Sequence, residues 1–508
     1  MYQQEGQSYR GFRLPGLRLT EELLPQLAEH RTEKMGPTLP SVHEFDKAHL
    51  VMLTEEGLIP RSAGVAMLRA LREMESEGYQ KVRFEVQGGA HSGEQYLIRT
   101  LGENVGGWIH VGRSSGDLSE VGRRYTIRTY LLEFLRRLNT LRRTVVELIP
   151  RYTDVVLPGA SHGQAAQPTT FSHWLAMWGW VFRRDFERAL GLYGRVNLSP
   201  TGAGILSGSD FAINRVRTAE LLGFSRPVPN TMDAILSHDA VLLETASMLM
   251  IHSTSSGRLA EDIELWFGSG FGFIDIPDRF CDTSSIMPQK KNPVFSEEVK
   301  AASARAIGTV MTVRVVESGP TGLTMNEHGV AQEALWKTFE ECCDRLDDAN
   351  ALLPEIRVNP ARMYQAASED WTQATDLAGG IVRSRGIPWR TAHQIVAIAV
   401  RLAHERSIAP ANAMPALLAE AAELYSGEQL EITSEELADW LSADKAVHRR
   451  TLQGGPAPER VLEEAAALER DLASDDAALT ELELADQRAH TSLEAAIDDL
   501  LVAGEEGR

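Results

Sequence analysis

Apolar residues recur three and four positions apart along most of this chain. Over Phe45–Glu56 and Ser62–Glu77 that spacing predicts two amphipathic helices. The same period runs from Ser119 to Ile149 and stops at Pro150, which has no N–H to donate and crowds the preceding turn. Residues 158–168 are rich in Gly, Pro and polar side chains and read as a loop. Behind them a helix from about Phe171 to Leu192 is apolar on almost every side, with Trp174, Leu175, Met177, Trp178, Trp180, Val181 and Phe182. A helix without a polar face belongs inside a bundle. The segment 232–267 has the same character, through Val241, Leu242, Leu243, Met248, Leu249, Met250 and Ile251. Ser296–Val316 is helical in period and carries Ala301, Ala302, Ala304, Ala306 and Gly308, small enough to let helix axes approach closely. One more long helix is predicted from Val330 to Leu353.

After Asn359–Pro360 the pattern shortens into helices at Trp371–Arg385, Trp389–Glu405 and Ser434–Leu441, joined by Gly/Pro turns. Beyond Pro458 the chain is rich in Ala, Glu, Asp and Leu at helical period and ends in a polar tail; its acidic side chains read as a solvated face. There is no internal repeat. The expected fold class is mainly α, with a long central helical bundle. One chain of this size would struggle to cover several long apolar helices, so subunits are expected to share them.

Composition narrows the function. The 508 residues are 43% hydrophobic, enough for a real core. Lys and Arg number 51 against 71 Asp and Glu, a formal charge of -20, which repels phosphate backbones and anionic lipid. Nucleic-acid and membrane partners are therefore not expected. The three cysteines, Cys281, Cys342 and Cys343, offer neither a disulfide framework nor a zinc spacing. No metal or cofactor is implied, and Cys281 reads as an incidental thiol. The N-terminal residues lack the apolar core of a signal peptide, and apolar runs such as Trp174–Phe182 fall short of the roughly 20 residues that cross a bilayer. The expected location is cytoplasmic. GSGFGF at 268–273 lacks the strand–helix setting of a dinucleotide loop and reads as a turn.

Candidate chemistry concentrates in TSSIMPQKKNPVFSE at 283–297. Two serines precede a Pro-interrupted loop with Lys290, Lys291 and Asn292, and Pro293 opens a helix with Glu297 and Glu298 in its first turn. A helix N-terminus with unpaired N–H groups beside lysine ammonium stabilises an anion, such as a carboxylate, a serine alkoxide or a carboxylate-stabilised carbanion. The same residues also fit a capped helix with a solvated basic loop.

The 283–293 stretch resembles the GSS-x-MP-x-K-x-NP loop of the fumarase/aspartase superfamily, in a form most similar to argininosuccinate lyase. Other blocks agree in order: GGWIHVGRSSGD at 106–117, PGASHGQAAQPTTFSHWL at 158–175, RVNLSPTGAG at 195–204, NTMDAILSHD at 230–239, RLAEDIELW at 258–266, the 374–396 segment and GGPAPERV at 454–461. The resemblance spans about residues 40–465. It implies the three-domain fumarase/aspartase fold, divided here at 1–115, 116–365 and 366–508. It also implies a homotetramer whose active sites are each built from three chains, and a small dicarboxylate-amine substrate.

By the same resemblance Ser284 is the base that takes a proton from the carbon next to a substrate carboxylate. A serine is too weak a base unless its alkoxide is stabilised. Lys290 and Asn292 would hold the carboxylate and the electron-rich intermediate. His162 with Glu297 would form the His–Glu pair that donates a proton to the departing amine. Ser161, Ser114, Ser115, Gln167, Ser285, Met287 and Asn326 complete the expected substrate contacts. His91 and His173 read as structural.

The chain also departs from the family pattern. GRSRND is GRSSGD here, with Ser115 and Gly116 for an Arg–Asn pair, and SDRD is SHD, with His238 for arginine. A tyrosine–asparagine step is Met325–Asn326, and Glu327–Glu333 is out of register with the family's polar run. Losing a bidentate guanidinium changes what a site can hold. The expected activity is therefore β-elimination of an N-substituted aspartate to fumarate and an amine, with an altered amine half. Two other readings are a non-catalytic subunit on the same scaffold, and elimination or cycloisomerisation of a different acid.

Overall fold

The computed structural model describes residues 35–322 and 327–506. Long helices dominate it: Thr38–Glu55, Arg61–Ser76, Ser115–Leu148, Phe171–Val196, Thr245–Phe267, Val294–Val316 and His328–Leu352. Five of them start within a few residues of where the apolar period begins; Thr38–Glu55 starts seven residues ahead of Phe45, and Thr245–Phe267 follows a short helix and a π-helical turn within the expected 232–267 stretch. Ser114 caps Ser115–Leu148 in a capping box with Asp117, and the Thr170 hydroxyl accepts from His173 N at 3.1 Å to open Phe171–Val196.

The central core is built where these helices cross. Leu131, Phe134, Leu138, Phe182, Phe186, Leu249, Ile263, Leu335 and Phe339 are all buried there. A second core, under residues 42–121, gathers Phe45, Leu50, Met67, Leu71, Leu97 and Leu118. A third is confined to 371–440 and packs Leu377, Ile381, Ile395, Leu418 and Trp440.

Three sequence expectations change. Residues 156–170 form an antiparallel hairpin, Val156–Ser161 with Gln164–Thr170, rather than a loop. Its two-residue turn has His162 at φ 53° and Gly163 at φ 70°, the left-handed pair that suits strand twist. Second, one helical stretch, Thr231–Phe267, is long and apolar enough to cross a bilayer, contrary to the reading of short apolar runs. Scattered Ser, Thr and His residues hide its length from a search for unbroken runs. Half of its most apolar window is buried in the bundle.

Third, the acidic tail is not a merely solvated face. Pro458–Glu506 is one continuous helix of 49 residues, which leaves the 371–440 core and runs along the other two. Val461, Ala465 and Leu468 enter the central core, and Leu493, Ile497 and Leu500 enter the N-terminal one. Its acids face arginines of earlier helices: Asp475 pairs with Arg142 at 2.7 Å, Asp486 with Arg128 at 2.8 Å and Asp476 with Arg143 at 2.6 Å. Buried guanidiniums need such partners.

Candidate active site

The 283–293 loop is closed at its base by a two-residue hairpin, in which Asp282 pairs with Asn292 and Thr283 with Lys291. Within it the Ser284 Oγ accepts from Met287 N at 3.0 Å and Ile286 N at 3.4 Å. Two N–H dipoles thus converge on the oxygen expected to carry negative charge. Ser285, Ile286, Met287 and Lys290 project outward and are exposed.

The two lysines are not equivalent. Lys291 is tied to Asp278 at 2.9 Å and Asp275 at 3.2 Å, and donates to the Ile276 carbonyl. Lys290 has no side-chain partner among the described residues, so its ammonium is available to an anion. Pro293 then opens Val294–Val316, which carries an exposed Glu297 in its first turn.

His162 occupies the tip of the 156–170 hairpin, exposed, next to Ser161 and with Gln167 on the returning strand. The hairpin packs on helices Pro360–Ser368 and Ala443–His448. Neither His162 nor Glu297 has a side-chain partner among the described residues, so the expected His–Glu pair does not form within one chain. Asn326 lies outside the described residues, as does Met325.

The third block is the N-terminus of Ser115–Leu148. Arg113 turns inward to Asp46 at 2.7 Å, and Asp46 also takes Arg83 at 2.5 Å, so the arginine of the GRS sequence is structural. Asp117 is buried and accepts from Ser114 N at 2.8 Å, Ala203 N at 3.0 Å and Gly204 N at 3.2 Å. Burial pushes its carboxyl up to about 6 despite those three donors. Asp117 thereby straps the 203–204 turn over the helix start. Gly116 makes that contact possible: a Cβ there would stand 2.7 Å from the Gly204 carbonyl oxygen. Ser115 is exposed and its Oγ meets His91 Nε2 at 2.9 Å.

His238 stands where the family pattern has arginine. It is 4% exposed, with Nε2 3.1 Å from Glu120 and Nδ1 3.4 Å from Glu317. Burial alone would lower the imidazole pKa, but the bonds to Glu120 and Glu317 outweigh it and raise the value to about 9. A buried cation therefore persists where the family pattern has arginine. Glu317 also reaches His328 Nε2 at 3.2 Å, which joins the ends of Val294–Val316 and His328–Leu352. The six residues after His238, Asp239–Glu244, form a π-helical turn.

Although the sequence carries no ligand spacing, the fold brings three His/carboxylate groups within 4.8 Å among the described residues: His91, Glu94 and His110; His238, Glu317 and His328; Glu44, His490 and Glu494. In the first two, each histidine is already hydrogen-bonded to its carboxylate.

Known proteins resemble this chain in sequence and in fold. Residues 45–308 match the family described as lyase, and 371–448 the one described as argininosuccinate lyase C-terminal. An argininosuccinate lyase of Methanosarcina acetivorans is 34% identical over 472 residues, covering 91% of this chain and 92% of the relative. A crystal structure of EDDS lyase in complex with formate superposes with TM-score 0.84 at 27% identity, covering 93% of each chain. A class II fumarase of Schistosoma mansoni, at 15% identity and TM-score 0.64, covers 83% of this chain and 92% of that one and shares the fold.

Proposed function

The chain belongs to the argininosuccinate lyase family within the fumarase/aspartase superfamily, and from that premise we propose that it cleaves the C–N bond of an N-substituted aspartate to release fumarate and an amine. The observation that carries this reading is the pair of N–H groups on Ser284 Oγ, in the same loop as Lys290, whose ammonium has no partner among the described residues. Preorganised donors stabilise an alkoxide far better there than in water. Ser284 takes the proton from the carbon next to the substrate carboxylate. Lys290 and Asn292 hold that carboxylate as it gains a second negative charge. The C–H electron pair forms the double bond, and the C–N pair leaves with the amine, on which His162, supported by Glu297, places a proton. Ser161, Gln167, Ser114, Ser115, Ser285, Met287 and Asn326 contact the substrate.

In this reading the blocks at 114, 162 and 284 come from three chains of a homotetramer. Supporting it is an apolar row on Val294–Val316: Ile307, Met311 and Val315, four residues apart and 48%, 60% and 70% exposed. The enzyme works in the cytoplasm, which suits its three free cysteines, Cys281, Cys342 and Cys343. The amine half differs from argininosuccinate, in line with an altered substrate-recognition set: Ser115 and Gly116 replace the Arg–Asn pair that by the family pattern helps hold the dicarboxylate half, and His238 replaces an arginine.

The test is the reverse reaction: fumarate with a panel of alkyl, aryl and guanidino amines, followed by loss of fumarate absorbance. Consumption with at least one amine, abolished by Ser284→Ala, supports the reading. Consumption that persists in Ser284→Ala, or none with any amine, overturns it.

A further inference from the structure

Beside the start of Ser115–Leu148 lies a chain of hydrogen bonds that the chemistry at Ser284 does not use. Glu94, 4% exposed on Ser92–Leu101, accepts from His91 Nδ1 at 3.0 Å and from His110 Nδ1 at 3.1 Å, both on the same oxygen. His91 Nε2 lies 2.9 Å from the Ser115 hydroxyl. Burial raises the Glu94 pKa, but the bonds from His110 and His91 and the charge of Arg113 outweigh it, so the carboxyl is held well below its ordinary range.

That fixes the polarity of the chain. An ionised carboxylate has only lone pairs, so His91 Nδ1 carries a hydrogen and donates it. When His91 is neutral, Nε2 is bare, and the hydrogen between Nε2 and Oγ belongs to Ser115. The order is carboxylate, imidazole, hydroxyl, with the hydroxyl at the exposed end. This arrangement turns a weak hydroxyl into a proton-transfer group or a nucleophile.

We propose that Glu94, His91 and Ser115 form a proton relay whose exposed end, the Ser115 hydroxyl, exchanges a proton with the amine half of the substrate. This rests on the lyase reading above. In the cleavage direction His91 begins as imidazolium. Its Nε2 proton passes to Ser115 Oγ while the Oγ hydrogen passes to the leaving nitrogen, which keeps the C–N electron pair; on this route Ser115 delivers the one proton assigned above to His162, and His162 is left to hold the substrate. His91 ends neutral and is reprotonated from water. Addition of an amine to fumarate runs the same transfers backwards. Where the family pattern holds arginine, a fixed cation, this chain holds a group that gives and takes a proton. The relay therefore favours basic amines, whose departure needs a proton most. Ser115 is the catalytic residue of this relay, and His91 and Glu94 position and charge it.

Two measurements test it. The first needs no lyase substrate: a fluorophosphonate probe with peptide mapping. Ser115 is labelled in the wild type and loses at least tenfold in labelling rate in His91→Gln and Glu94→Gln, each checked for wild-type circular dichroism. An unlabelled Ser115, or one labelled equally in His91→Gln, overturns the relay. The second is leaving-group dependence with Ser115→Ala, an exposed position that spares the fold. The variant loses about 10²–10⁴-fold in kcat on a succinyl-alkylamine and at least tenfold less on a succinyl-aniline, whose nitrogen leaves without prior protonation. Equal losses on both substrates overturn the relay. Labelling at Ser115 without turnover of any succinyl-amine refutes the lyase reading and leaves the activated hydroxyl standing.

Discussion

His238 Nε2 lies 3.1 Å from Glu120, inside the bundle, where the family pattern carries arginine. With its folded pKa near 9 against 6.5 unfolded, the imidazolium adds stability that is fully present below pH 6.5 and is lost as pH rises through 9. Glu317, drawn down to about 2 from 4.5, adds stability present above pH 4.5 and lost towards pH 2. Burial opposes that shift, but the bonds from His238 and His328 outweigh it. The His238–Glu317 pair therefore contributes most between pH 4.5 and 6.5. His238→Gln should cost about 1.5–3 kcal/mol by removing the charged hydrogen bonds to Glu120 and Glu317, with Glu120 still paired to Arg123, and should flatten the decline between pH 6.5 and 9. A variant whose melting temperature falls over that range as steeply as the wild type would refute the pairing.

Ser284→Ala should lower turnover by about 10²–10⁴-fold while barely moving the melting temperature. The side chain is only part-buried, and its bonds serve a seven-residue surface loop. Rate and melting curve are measured on the same preparation. A large loss of stability would instead mean that the hydroxyl holds the loop together.

Gly116→Ala brings a methyl to 2.7 Å of the Gly204 carbonyl oxygen, a backbone atom that cannot swing aside. The expected cost is about 1–3 kcal/mol in urea unfolding, with faster hydrogen exchange at Ala203 and Gly204. Unchanged exchange there would show that the turn does not rest on the helix start.

Ile497, 1% exposed, ties the C-terminal helix to the N-terminal core. Ile497→Ala should cost about 2–5 kcal/mol by chemical denaturation, a core-sized loss from a position eleven residues before the last residue. A loss under about 0.5 kcal/mol would mean that the tail is an accessory, as surface substitutions are.

The long helices were legible because their apolar residues follow the helical period and their caps are local. The hairpin at 156–170 was not, since its outer half is polar and exposed and only His162–Gly163 signals a turn. The acidic helix was misread because its partners, Arg128 and Arg142, lie more than three hundred residues earlier. At the candidate site the 283–293 loop could be picked out from a contiguous motif. The charge retained at His238 could not, because Glu120 and Glu317 come from distant segments. The contact between His91 and Ser115 was equally hidden, because the two lie 24 residues apart.

Met311 stands at the centre of the exposed row Ile307–Met311–Val315, and a stripe of that kind on a bundle helix is stabilised only when another surface covers it. Met311→Lys adds a charge that folds harmlessly in a single chain, where the site is open, but must be desolvated in an assembly. Light scattering after size exclusion should find the wild type at four chains and Met311→Lys at fewer, with unchanged helical circular dichroism. Turnover should fall with the assembly, because Ser284, His162 and Ser115 would no longer meet. Ser284→Ala and His162→Asn chains, each inactive alone, should regain part of the activity when unfolded and refolded together, since mixed tetramers contain some sites with both residues intact. A wild-type mass for Met311→Lys would show that this row is not the interface, and no recovery on mixing would place each active site within one chain.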